Sequence, residues 1–73
     1  MAIDYSSLLT GEQKKQILEQ RIAQYAAEGY QHEINKTVAA ASGNEEGVKA
    51  SDDALVILEK AIAVHQEELA KLN

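Results

Sequence analysis

The sequence predicts an all-α protein: a long antiparallel two-helix hairpin with a short N-terminal arm, completed to a helical bundle by self-association or a partner. Three observations predict it. The composition favours helix, and the chain has no proline to interrupt one. Ser42-Gly43-Asn44 is the clearest punctuation in the chain. Finally, Ala54 to Val64 is apolar on nearly every side, broken only by Glu59 and Lys60. A helix that is apolar all round is buried all round, and 73 residues offer little else to surround it.

Residues 1–9 form the arm. Ile3, Tyr5, Leu8 and Leu9 make it apolar enough to dock on something; a lightly ordered terminus is the other reading. Thr10-Gly11-Glu12-Gln13 reads as a capping box, in which the threonine hydroxyl and the Gln13 side chain satisfy each other's backbone amides. Glu12 complements the positive end of the helix dipole. Helix 1 is therefore expected from about 11 to 42.

Within helix 1, Leu18, Ile22, Ala26, Tyr30, Ile34 and Val38 recur at every fourth residue. At 100° per residue such a row drifts by about 40° a step, so it wraps around a straight helix. Ala23, Ala26, Ala27 and Gly29 allow a close approach near the middle. Gly29 weakens the helix by about 1 kcal/mol relative to alanine.

The turn spans 42–45. Gly43 suits the left-handed residue that closes a helix, and Asn44 suits the cap of the next. Helix 2 is expected from about 45 to 72, with Glu45 and Glu46 in its first turn. Gly47 and Ser51-Asp52-Asp53 weaken its start, and a break near Ala50 with Ser51 as a second cap is the alternative. Val48, Ser51, Leu55, Leu58, Ile62, His65, Leu69 and Leu72 alternate spacings of three and four, the seam of a heptad. A second line, Ala50, Ala54, Ile57, Ala61 and Val64, has no obvious cover within the chain. Val56, Ala63 and Ala70 form a sparser third line.

A short connection makes the helices antiparallel neighbours. With the turn near Gly43 and Asn44, residues whose numbers add to about 87 lie level. Tyr30 then meets Ile57 and Leu58, Ile22 meets His65, and Leu18 meets Leu69, in a hairpin about 40 Å long.

The candidate functional surface is the second line with the nearby tyrosines: Ile57, Ala61, Val64, Ala54, Tyr25 and Tyr30. Tyrosine combines an apolar body with a polar tip and suits interfaces and core margins alike. A chain of this length is marginal alone, and it has no cysteine, which excludes disulfides and thiolate metal sites. Association is the remaining source of stability.

The charge is −5. Residues 10–42 balance four acids against four bases, whereas residues 43–73 carry seven acids and three bases. No basic stripe exists to neutralise phosphates, which argues against nucleic acid and anionic membranes as partners. No stretch is long and apolar enough to span a bilayer, and residues 1–9 lack a signal-peptide pattern. The expected location is cytoplasmic, or within a protein assembly made there, and not secreted.

Glu28 with His32, and His65 with Glu68, have spacings that can share a metal. The register separates His32 from His65 by about 15 Å, so a site would need a second subunit. The blander reading makes them surface histidines beside solvated glutamates, with His65 a seam residue donating to Glu19 or the Tyr25 hydroxyl. No metal or other cofactor is assigned. No constellation of nucleophile, acid and base is present, and no phosphate-cradling loop.

The expected function is therefore non-enzymatic: a small protein–protein interaction module, an accessory, assembly or inhibitor protein. Its expected partners are further copies of itself or a larger protein assembly. In size and charge it resembles the accessory and anti-defence proteins of bacteriophages. The alternative is a metal- or small-molecule-binding helical bundle with its site at a subunit interface.

Overall fold

A computed structural model describes residues 2–72 and is helical throughout its regular structure. Met1 and Asn73, which the expected domain includes, lie outside the described residues. A 3-10 turn, η1, covers Tyr5–Leu8; helix α1 runs Gly11–Ala41 and helix α2 runs Glu45–Lys71. The two long helices pack side by side as an antiparallel hairpin.

The helix ends form as their residues dictate. Thr10 Oγ1 accepts from the Gln13 amide at 3.1 Å, and Gln13 Oε1 accepts from the Thr10 amide at 2.9 Å. At the other end of α1, Gly43 adopts φ +71°, a conformation that costs an L side chain about 1–2 kcal/mol. Its amide donates to Ala40 O at 3.2 Å and the Asn44 amide donates to Ala39 O at 2.8 Å. These two bonds satisfy carbonyls that the ending helix would otherwise strand. Asn44 then turns to α2, where its Oδ1 accepts from the Gly47 amide at 2.9 Å. One residue thus closes the first helix and opens the second.

No break occurs near Ala50: α2 is continuous, and Ser51 lies inside it at 6% exposure. The reason is packing. A Cβ on Gly47 would stand 3.0 Å from the Ala39 Cβ and 2.8 Å from Asn44 Nδ2, so the two backbones approach closely beside the turn. Small residues at Ala39, Gly47 and Ser51 permit this contact, and the contact holds the first turns of α2 against α1. Gly47 and Ser51 weaken an isolated helix, but here they serve the pair.

The register agrees with expectation. Gly29 faces Leu55 and Leu58, Lys36 Nζ reaches Asp52 Oδ1 at 2.7 Å, and Arg21 reaches His65. The expected α2 seam turns inward from Val48 through Leu69, and its last member, Leu72, is exposed at the helix end. The α1 row does not. Leu18 and Ile22 face α2, but Tyr30, Ile34 and Val38 are exposed. The inner line instead continues through Tyr25, Gly29, His32, Lys36 and Ala39, at alternating three and four. A row of strict fours drifts off a straight contact, and beyond Ile22 a residue three further on replaces it. Tyr30 therefore does not meet Leu58; Gly29 does.

The arm docks through a single side chain. Leu9 is half-buried, while Ile3, Tyr5 and Leu8 stand exposed. No large side chain is fully buried among the described residues. The molecule measures 50 × 26 × 14 Å. Its smallest dimension is close to the ~10–12 Å diameter of one helix with its side chains, so the fold is a single layer. No helix is long and apolar enough to cross a membrane.

The two seam glycines give opposite expectations. A Cβ at Gly29 would meet Leu55 and Leu58 at 3.9 and 4.0 Å, ordinary contacts. Gly29→Ala should raise stability by about 1 kcal/mol through helix propensity. Gly47→Ala should lower it by about 1–2 kcal/mol, because overpacking at Ala39 and Asn44 outweighs the same gain. Urea unfolding followed by circular dichroism checks both, and an equal rise in the two variants would remove the close approach as a constraint.

Candidate functional site

A one-layer hairpin has two broad faces. At 100° per residue, the residue before each seam position turns to one flank and the residue after it turns to the other. The antiparallel pair is related by a pseudo-two-fold perpendicular to the layer, so preceding residues of both helices share one face. Two surface grooves agree with this: one is lined by Ile17 of α1 with Glu68 and Lys71 of α2, the other by Asn35 and Val38 of α1 with Gly47 of α2.

The first face carries the expected second line. Ile57 is 67% exposed and Val64 54%, while Ala54 and Ala61 are half-buried at its inner margin. Of the six residues singled out from the sequence, these four therefore lie together. Ile17 and Val38 of α1 join them on the same face and were not anticipated. Each directly precedes a seam residue, Leu18 and Ala39, and that spacing is the signal that identifies them.

The two tyrosines go elsewhere. Tyr30 follows Gly29 and stands exposed on the opposite face, with Val56 of α2. Tyr25 lies on the inner seam, half-buried against His65, with ring centroids 5.1 Å apart in an edge-on arrangement. Arg21 ties this pair together. Its Nε donates to His65 Nε2 at 2.9 Å, its Nη2 donates to the Tyr25 hydroxyl at 2.7 Å, and its guanidinium carbon lies 5.7 Å from the Tyr25 ring centre. Because His65 Nε2 accepts, Nδ1 carries the proton, and it donates to Ala61 O at 2.6 Å. His65 thus donates to its own helix, not to Glu19 or the Tyr25 hydroxyl.

His32 is half-buried on the seam, a correction to its expected place on the surface. It lies at the level of Leu55, far along the hairpin from His65. Among the described residues no group of three or more His, Asp or Glu side chains converges as a metal site would require. Lys36 is the second polar residue of the seam, and its pairing with Asp52 leaves both side chains nearly half exposed. Such a pair contributes about 0–1 kcal/mol and acts mainly to fix register.

At the open end of the hairpin, a groove of about 400 Å³ lies between arm and helices. Leu9, Ile17, Leu18 and Leu72 line its floor, and the ion pair Lys71–Glu68, at 3.1 Å, stands at its rim. The first face therefore extends from this groove, across Ile57 and Val64, to the turn.

If Tyr25 works by packing, Tyr25→Phe should change stability by less than about 0.5 kcal/mol, since its hydroxyl contact is exposed. Tyr25→Ala should cost about 2 kcal/mol by removing half-buried ring area. Equal losses in thermal unfolding of the two variants would instead assign the contribution to the hydroxyl. Compared with models of protein families, with curated proteins and with solved structures, the chain matches none significantly.

Proposed function

We propose that this chain is a non-enzymatic protein–protein interaction module, an accessory, assembly or inhibitor protein that works through its first broad face. One observation carries the reading: the folded chain is a single layer that leaves Ile17, Val38, Ile57 and Val64 exposed on one broad face, uncovered among the described residues. Domains normally bury such faces between two layers.

The excess surface can be sized. A compact chain of 8.0 kDa exposes about 4,450 Å². This one exposes 5737 Å², a surplus of about 1,300 Å². A standard interface takes about 800 Å² from each partner. The radius of gyration, 16.4 Å against about 11 Å for a compact domain of this length, describes the same shortage of cover. Ile57 and Val64, two helical turns apart on α2, are the apolar centre of the face, and exposed apolar surface rimmed by polar residues is a mark of interaction sites.

Ile57→Asp and Val64→Asp place charge on the face without touching the seam. Both variants should stay helical by circular dichroism and lose association, seen as a lower mass by light scattering on a sizing column. They should also lose proteins captured from the native host, while Glu67→Gln, off this face, keeps them. Unchanged mass and unchanged capture in both Asp variants would end the proposal.

A further inference from the structure

We infer that the first face is built to receive a second copy of this chain, related by a two-fold axis that passes Glu28 on α1 and the level of Glu59 on α2. This rests on the reading of the first face as the contact surface and names its occupant.

The argument starts from the order of residues along the face. On α2 they run Gly47, Ala50, Ala54, Ile57, Ala61, Val64, Glu68 and Lys71, again at three and four. Laid antiparallel on itself, this line aligns in one register with every position opposite another. Ile57 then meets the partner's Ala61, and Ala54 meets the partner's Val64. Each layer sets one bulky residue against one small one, which is how facing positions interdigitate without voids. The axis of that register passes midway between Ile57 and Ala61, at Glu59.

The α1 line on the same face is symmetric at its ends and centre. In Ile17, Arg21, Gln24, Glu28, Gln31, Asn35 and Val38 the pairs Ile17–Val38 and Gln24–Gln31 match about Glu28, and only Arg21 against Asn35 does not. Antiparallel on itself, Ile17 meets the partner's Val38 and Gln24 meets the partner's Gln31. Ile17 is 44% exposed and Val38 59%, and each gains an apolar neighbour by this pairing.

The two centres coincide in space. In the observed hairpin Gly29 faces Leu58 and Arg21 bonds His65, so Glu28 lies level with Glu59. A single axis, lying in the plane of the face and perpendicular to the helices, serves both helices at once. Isologous pairing about such an axis is the commonest closed symmetry, and here it makes every neighbouring helix antiparallel.

Charge selects the same face. The opposite face carries Glu19, Glu33 and Glu59 against Lys49, with Asp52 already paired to Lys36, so two copies would repel there. The first face balances Arg21, Lys14 and Lys71 against Glu28 and Glu68. The surplus surface exceeds what one standard partner needs.

The axis has one unfavourable consequence, which makes it testable. Glu28 meets the partner's Glu28, a like-charge contact. Removing it with Glu28→Gln should tighten the dimer about three- to tenfold in sedimentation equilibrium and flatten its salt dependence. Because the chain has no cysteine, single thiols can map the contact. Glu28→Cys should join two chains through a short bifunctional maleimide, and Gln66→Cys, on the opposite face, should not. Joining through Gln66→Cys alone, or a Glu28→Gln dimer that is no tighter, would overturn the assignment. A wild-type monomer at high concentration whose host capture still depends on Ile57 would overturn the second copy and leave the interaction face standing. A monomer whose capture ignores Ile57 would end both.

Discussion

Two helices can shield only one line of contact from water, and every other property of this molecule follows from that limit. The seam is narrow, and its middle holds a glycine, a histidine and a lysine where a larger domain would place leucines. Its most buried residues are Ala39 and Ser51, both small and both beside the turn. Apolar area removed from water is the main favourable term in folding, and the hairpin removes little of it by itself. Its helices are therefore secured at their ends, by a reciprocal cap at Thr10 and a shared cap at Asn44. Of the apolar side chains left exposed, Ile17, Val38, Ile57 and Val64 share one broad face.

The two broad faces divide the chemistry between them. The first alternates large and small apolar residues on α2 and neutral amides on α1, with charges of both signs. The second is acidic and carries Tyr30 and Val56 in relative isolation. Proximity to the seam explains the mixed character of Ala54 and Ala61, which are half-buried by the hairpin and still open towards the face. The Arg21–His65–Tyr25 cluster sits at the margin between seam and face. It joins the two helices beside the seam residues Ile22 and Ile62.

Much of this was legible in the sequence, and the parts that were not share a cause. The caps at Thr10 and Asn44, the left-handed Gly43, the register and the α2 seam as far as Leu69 follow from local rules, because each depends on a few adjacent residues or on an apolar repeat. The α1 seam was hidden because half its members do not look like core. Gly29, His32 and Lys36 gave no hydrophobic signal, whereas Tyr30, Ile34 and Val38 gave one and point away. The information was nonetheless present in the other helix: reflecting Ser51, Leu55 and Leu58 through the turn lands on Lys36, His32 and Gly29. Gly47 was read as a weakness for a related reason, since helix propensity is a property of one helix and the close approach to Ala39 belongs to two. Of the candidate interface, Ile57, Val64, Ala54 and Ala61 were placed together by spacing alone, and Tyr25 turns inward against His65, the neighbour the register had already set beside it.

The doubled use of Asn44 bears on how the chain reaches this fold. Ala39 and Gly47 touch across only about eight residues of chain, so the first tertiary contact closes a short loop at small entropic cost. Each further seam contact lengthens the enclosed loop a little, until Arg21 and His65 meet across 44 residues. Such a ladder of growing separations has low contact order at its base and favours rapid zippering outward from the turn. The open end, with the arm, Leu18, Leu69 and Leu72, forms last and opens first. Local opening is therefore expected to begin at this end, beside the groove beneath Leu9.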